Sequence, residues 1–323
     1  MKAHVLSEET GPDALTFTDV ADPVPADGQV LIDVKSCGLC FPDLLMTQGK
    51  YQLRVPPPFT PGTEVAGVVS AAPAGSPYAV GDRVVAMSMV GGFAEKVAVP
   101  VEMVLPLPPS LTFDEGAAMG LNFPTAWFAV KMRAAVQAGE NVVVLGSAGG
   151  VGVACIAVAK ALGARVIAVV HRSGAEELLR SEGADEVVAL TDGWGTRVKE
   201  LTDGRGADVL LDPVGGEVFD EALRQVAVDG RFVVIGFAAG GIPSVKLNRV
   251  LFRNISVVGA AWGEYIRAHP TVIGDVHDEL TRMIAEGLRP PVNVIYPFAE
   301  LKEALHDLAG GKILGKAVIH IAD

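Results

Sequence analysis

Few folds accommodate residues 141–172, which read Asn-Val-Val-Val-Leu-Gly-Ser-Ala-Gly-Gly-Val-Gly-Val-Ala-Cys-Ile-Ala-Val-Ala-Lys-Ala-Leu-Gly-Ala-Arg-Val-Ile-Ala-Val-Val-His-Arg. Val142–Leu145 is a short, apolar, β-branched run. The glycines from Gly146 to Gly152 force a turn after it. Val153–Leu162 is rich in alanine and helix-compatible apolar residues, Gly163 ends it, and Arg165–Val170 is apolar again. The pattern predicts one βαβ unit with a buried parallel strand at each end.

The glycines in that turn point to a ligand. Gly149 permits a tight turn and close approach of a pyrophosphate to the backbone, and Gly152 lets the helix pack on the strand. The helix start then offers free N–H groups and partial positive charge to phosphates. The motif is Ser147-x-Gly149-x-x-Gly152, with serine where a dinucleotide fingerprint usually has its first glycine. Its setting, after a strand and opening a helix, supports dinucleotide binding, with Ser147, Ala148, Gly149, Gly150, Val151 and Gly152 as the cofactor-binding turn. A turn whose glycines serve packing alone, or one that holds S-adenosylmethionine, are the competing readings.

At 323 residues the chain has room for two domains. A net charge of −12 and a pI near 5.0 argue against a nucleic-acid surface. Cys37, Cys40 and Cys155 are too few, and odd in number, for a disulfide framework, which fits a reducing cytoplasm. The amino terminus passes straight into strand-like sequence without a signal peptide, and no apolar run is long enough to span a membrane.

Residues 1 to about 120 predict short strands separated by Gly and Pro turns, at 29–35, 64–70, 82–86 and 95–100. This is the spacing of an irregular barrel or sandwich. Helices are expected at 114–119 and 125–135. After the glycine turn, helices at 176–182 and 218–227 alternate with strands at 208–212, 231–235 and 254–259, as in a doubly wound parallel sheet. Helices near 276–287 and 298–308 and a strand at 316–321 close the chain. The expected fold is therefore α/β. Residues 1–121 and 263–323 form a discontinuous β-rich domain around a Rossmann domain of residues 122–262.

Several motifs occur in order: Met46-x-Gln-Gly-Lys-Tyr51, Pro61-Gly-Thr-Glu64, Val80-Gly-Asp-Arg-Val84, Gly91-Gly-Phe-Ala-Glu95, the Gly146–Gly152 turn, Leu211-Asp-Pro-Val-Gly-Gly216, Ile235-Gly-Phe-Ala238 and Leu314-Gly-Lys-Ala317. Together they resemble the medium-chain dehydrogenase/reductase superfamily in its quinone oxidoreductase branch, nearly end to end. The resemblance implies a GroES-like catalytic domain, a Rossmann domain with a cleft between the two, and a homodimer formed through the edge strand near 255–259. Relatives use NAD(P)H to reduce quinones or carbonyl-conjugated double bonds.

Zinc-dependent members of this superfamily use a Cys, a His and a second Cys. Here Cys40 stands at the first position, Thr63 where the His belongs, and Asn122 near the second Cys. One ligand does not make a zinc site, so no metal is expected. Quinone-type relatives usually carry Asn at the place of Cys40, which either lines the cleft or is an inert thiol. NAD binders place an acid about 20 residues after the glycines. This chain has His171-Arg172-Ser173, so Arg172 and Ser173 are read as holding a 2′-phosphate and the cofactor as NADPH. Arg172 as an ordinary solvated side chain is the alternative. The Lys and Tyr that assist in relatives correspond to Ala175 and Leu190.

Reduction of an enone or quinone places negative charge on oxygen, which needs a hydrogen-bond donor. Tyr51 is the candidate, on a segment similar to that bearing the proposed catalytic Tyr of 2-enoyl thioester reductases. By resemblance, Asn122 and Thr125 touch substrate or nicotinamide, with Asn122 as the catalytic candidate, Gly236, Phe237 and Ala238 lie along the cofactor, and Lys316 sits near the nicotinamide end; Phe237 as mere packing and Lys316 as a solvated charge are the alternatives. The expected activity is zinc-independent reduction of a small-molecule quinone or α,β-unsaturated carbonyl. The alternatives are a reductase of acyl-CoA or carrier-linked 2-enoyl thioesters and a non-enzymatic NADPH-binding protein.

Overall fold

The structure is a computed structural model that describes residues 1–322. It divides into two compact units, Met1–Leu121 with the segment from Ile284 onward, and Asn122–Met283.

The first unit opens with β1 (Lys2–Leu6) and β2 (Leu15–Asp19), an antiparallel pair. β3 (Gln29–Leu39) follows, then helix α1 (Phe41–Thr47), β4 (Glu64–Ala71), β5 (Arg83–Met87), β6 (Lys96–Pro100), β7 (Val104–Pro106) and helix α2 (Phe113–Met119). In β3 the residues Val30, Ile32 and Val34 alternate inward, as expected of a strand with one buried face. Thr112 caps α2, its hydroxyl accepting from the Glu115 amide while Glu115 returns a bond to the Thr112 amide.

The second unit holds α3 (Asn122–Trp127), a π-helical turn at Phe128–Arg133, β8 (Asn141–Val144), α4 (Gly150–Ala161), β9 (Arg165–Val170), α5 (Glu176–Ser181), β10 (Glu186–Ala189), α6 (Trp194–Leu201), β11 (Ala207–Asp212), α7 (Phe219–Gln225), β12 (Val226–Val234), α8 (Leu247–Leu251), β13 (Ser256–Gly259), α9 (Trp262–Ala268) and α10 (Val272–Ala285). Its six strands are parallel, in the order β10-β9-β8-β11-β12-β13. The direction of winding reverses between β8 and β11, and ligands of such sheets bind at the carboxyl ends of the strands at that reversal. β8 and α4 are buried almost throughout, which explains why their sequences are apolar without alternation.

The chain then returns to the first unit with β14 (Val294–Pro297), α11 (Leu301–Ala309) and β15 (Ala317–His320). β15 pairs with β3, completing a seven-stranded sheet in which β6 also joins β3. Leu301, Ala304 and Leu305 of α11 close the core over this sheet. The return falls after residue 283, not at 263. α9 and α10 stay with the second unit because they are amphipathic against it. Trp262, Ile266, Ile273, Val276 and Leu280 are buried, and Phe128 packs on Trp262 and Tyr265 with ring centroids at 5.4 and 4.6 Å.

Candidate functional site

In the second unit the turn expected at Gly146–Gly152 lies at the carboxyl end of β8, beside the winding reversal. Gly146 adopts φ +56°, so it, and not Gly149, makes the left-handed step. Ser147 is fully buried, and its hydroxyl donates to the Val169 carbonyl at 2.9 Å. It fastens the turn to β9 and faces inward. Gly149 caps α4 in extended conformation, and a Cβ there would meet only the Gly146 carbonyl oxygen at 3.4 Å. Open space in front of a backbone at a helix start lets a ligand approach closely. A Cβ on Gly152 would stand 2.4 Å from the Gly146 carbonyl oxygen and 2.7 Å from Ser147 Cα. Only glycine lets α4 begin this close to the turn. The first amides of α4 have no partner within the helix, and they carry the positive end of its dipole. This geometry fits a pyrophosphate.

Asn122, 7% exposed, lies over the start of α4, because a Cβ on Gly150 would fall 2.3 Å from its Nδ2. Thr125, one turn on in α3, is half-buried. Arg172 follows the end of β9 and is half-buried, and burial lowers the pKa of its guanidinium. An anion held against it relieves that cost. Ser173 is exposed. Gly236–Ala238 follow β12, one strand beyond β11, and the Phe237 ring is 40% exposed. The structure thus brings the turn, Arg172 and Gly236–Ala238 to the carboxyl ends of β8, β9 and β12 in one sheet.

In the first unit, Cys40, Asp43, Thr63, Glu64 and Lys316 form a buried cluster, none more than 3% exposed. β15 brings Lys316 to β3 and β4. Its ammonium donates to the Leu39 carbonyl at 3.0 Å, to Cys40 Sγ at 3.1 Å and to Glu64 Oε1. Cys40 Sγ donates to the same Glu64 oxygen at 2.9 Å, and the Leu121 amide donates to Glu64 Oε2. Burial works against the Lys316 charge, yet Cys40 and Glu64 outweigh it and hold the ammonium above its ordinary pKa. Burial, reinforced by Glu64, pushes the Cys40 thiol well up. Burial also raises the Asp43 carboxyl to about 7, against the pull of the Cys40 amide and Lys316. The Lys316 ammonium is enclosed by three acceptors, and its charge is matched to Glu64.

These residues do not fit zinc. Cys40 already contacts an ammonium and a carboxylate, and Thr63 brings a hydroxyl where a metal ligand is required. Among the described residues no group of three or more His, Cys, Asp or Glu side chains is placed to hold a metal. Nor can Cys37 and Cys40 close a disulfide. β3 is extended from residue 37 to 39, which separates the two Cα atoms by about 10 Å, beyond the roughly 7 Å limit for a bridge. Tyr51 is half-buried on the irregular segment after α1.

Sequence reasoning missed Glu64, although it quoted the residue within Pro61–Glu64. The signal that could have marked it is a carboxylate opening the apolar run Val65–Val69 of β4.

The comparisons with known proteins agree with both units. A family profile described as an alcohol dehydrogenase GroES-like domain matches residues 26–109, and one described as a zinc-binding dehydrogenase matches residues 150–279. Quinone oxidoreductase-like protein 2 of Rattus norvegicus is 34% identical over 99% of this chain and 92% of its own length. A crystal structure of a probable oxidoreductase from Mycobacterium abscessus is 46% identical, covers 99% of both chains and has a TM-score of 0.93. The quinone oxidoreductase of Thermus thermophilus, solved alone and with NADPH, is 35% identical over 99% of this chain and 100% of its own, with a TM-score of 0.83. The CurK enoyl reductase is 28% identical over 99% of this chain and 98% of its own, with a TM-score of 0.89.

Proposed function

The chain belongs to the medium-chain dehydrogenase/reductase superfamily, in its quinone oxidoreductase branch, and from that premise we propose that it is a zinc-independent reductase of quinones or α,β-unsaturated carbonyls that uses NADPH. The observation that carries this reading is a dinucleotide turn at the winding reversal of the second unit, together with a first unit in which Cys40 is held between the Lys316 ammonium and Glu64. The cofactor supplies the hydride when bound. The protein binds and orients. The first amides of α4 receive the pyrophosphate, and Asn122 steadies that helix start. Arg172 and Ser173 take the 2′-phosphate, Phe237 lies along the cofactor, and Thr125 serves the nicotinamide end. Tyr51 donates a hydrogen bond to the oxygen on which charge develops, and Cys40, buried between Lys316 and Glu64, stays an uncharged thiol. Lys316 acts indirectly, as the fixed countercharge of Glu64.

Absorbance of NADPH, followed with a panel of quinones, enones and 2-enoyl thioesters, tests this reading. Turnover of quinones or enones that survives a chelator is expected, and Tyr51→Phe lowers kcat by about 10²-fold or more with NADPH affinity retained. No turnover of any quinone or enone overturns the claim. Turnover of thioesters alone selects the enoyl reductase reading, which the likeness to CurK favours. NADPH binding without turnover selects a binding protein.

Arg172→Ala separates the two nicotinamide cofactors. A lost charge-assisted contact to phosphate raises the KM for NADPH by about 10-fold or more, while the KM for NADH stays within about twofold because NADH carries no phosphate there. Equal KM changes for both cofactors would remove Arg172 from the phosphate site.

β13 is the outer strand of its sheet, with Val257 43% exposed. A second copy pairing along this edge gives a homodimer and covers a strand that is otherwise a site for aggregation. Sedimentation at the 33.6 kDa of a single chain would exclude it. No helix among the described residues is long and apolar enough to cross a membrane, and unpaired thiols suit the reducing cytoplasm.

A further inference from the structure

Asp212 ends β11 at the winding reversal and is 1% exposed. Its Oδ1 accepts the Val214 amide at 2.8 Å and the Gly215 amide at 2.9 Å, bending the chain into a tight turn immediately after the strand. Gly215 and Gly216 there have φ of +64° and +68°. The turn is laced to the segment that follows β12. The Asp212 carbonyl accepts from Ile235 at 2.9 Å, the Pro213 carbonyl from Ala238 at 3.1 Å and the Val214 carbonyl from Ala239 at 3.0 Å, and the Gly216 amide donates to Gly241 at 3.0 Å. Packing is as close as the hydrogen bonding. A Cβ on Gly215 would lie 2.8 Å from the Phe237 ring, and one on Gly146 would lie 2.6 Å from Val214 Cγ2. Thus the turn touches the glycine turn on one side and Phe237 on the other. Burial raises the carboxyl's pKa, and the two amides oppose that shift.

We propose that Asp212 is a positioning residue for the cofactor: by accepting the Val214 and Gly215 amides it holds the 213–216 turn, and through that turn it sets Gly236, Phe237 and Ala238 against the dinucleotide. The inference rests on the reading that the chain binds NADPH. What acts is an acceptor oxygen and not a negative charge, because both bonds end on one oxygen that an asparagine side chain also has.

Two measurements separate this inference from the cofactor reading itself. Amide hydrogen exchange of the protein without cofactor reads the turn directly. Asp212→Ala speeds exchange across 214–216 and 235–241 by about tenfold, the scale of a lost pair of hydrogen bonds, and leaves β8 and α4 unchanged, whereas Asp212→Asn exchanges like wild type. NADPH titration reads the consequence: Kd rises about tenfold in Asp212→Ala and stays within about threefold of wild type in Asp212→Asn. If Asp212→Ala does not fold, Gly216→Ala perturbs the same lacing from its far side, since the new Cβ stands 3.0 Å from Ala239 Cβ, and it produces the same local exchange and the same rise in Kd. Unchanged exchange in the alanine variants, acceleration spread evenly over the second unit, or an asparagine variant as impaired as the alanine one each overturns the proposal. Wild-type protein that fails to bind NADPH overturns the cofactor reading while the exchange experiment still decides the role of Asp212 in the turn.

Discussion

Gly152→Ala weakens NADPH binding by about 100-fold or more while the protein remains folded. The added methyl would stand 2.4 Å from the Gly146 carbonyl oxygen, 2.7 Å from Ser147 Cα and 2.9 Å from Ser147 C, all backbone atoms. No side chain can swing aside, so α4 must move away from the turn. Overpacking of this sort costs about 1–3 kcal/mol of stability, which a chain with this much buried surface survives. The cofactor site does not survive it, because the amides at the start of α4 and the Gly149 backbone no longer face the phosphates together. Losing one or two charge-assisted bonds of about 1.5–3 kcal/mol each accounts for the factor. Fluorescence titration with NADPH, alongside circular dichroism, measures it, and binding within threefold of wild type would sink the prediction. Gly149→Ala is the informative companion. Its Cβ meets nothing in the protein closer than 3.4 Å, so any loss of affinity there reports crowding by the ligand.

Lys316→Met destabilises the first unit by about 3–5 kcal/mol, the cost of leaving a buried charge without its partner. Methionine fills the volume of the lysine stem, so the loss comes from the stranded carboxylate of Glu64, which is fully buried. Since the same cluster neutralised on both sides is often no less stable than the ion pair, the double variant Glu64→Gln with Lys316→Met recovers most of the loss. Denaturant unfolding of the three variants tests this. A single variant costing less than about 1 kcal/mol, or a double variant worse than the single, would contradict it. Asp43 adds a pH dependence. Its folded pKa of about 7 lies above the ordinary 3.8, so the folded protein holds a proton that the unfolded chain has released. That contribution is fully present below 3.8 and fades as pH rises through about 7.

Much of this architecture is written in the chain. The apolar runs of β8 and β9 and the glycines between them announce a βαβ unit because a doubly buried strand tolerates little else. The expectation of no zinc rests on residue type alone, at Cys40, Thr63 and Asn122. Other features depend on distance in space, which spacing in sequence does not record. Lys316 looked like a solvated or cofactor-facing charge, yet pairing of β15 with β3 carries it 252 positions back to Glu64. Ser147 stood in a ligand motif, but its hydroxyl turns to β9 because the Val169 carbonyl is there to receive it. β10 and α6 were missed for a different reason. β10 is only four residues long, and the apolar residues of α6, Trp194, Val198 and Leu201, recur at helical spacing but are set among Gly193, Gly195 and charged side chains; packing of Val188, Trp194 and Val198 orders them.

The three thiols have a chemical consequence. Cys37, Cys40 and Cys155 are all buried, and burial raises the pKa of each, Cys155 to about 12. Quinones and enones are electrophiles that alkylate thiolates, and only an accessible, deprotonated sulfur reacts quickly. This chain presents no such sulfur. A protein built in this way can work at high concentrations of soft electrophiles without becoming covalently modified at cysteine, and its resistance comes from where the sulfur atoms are placed, with no repair chemistry required.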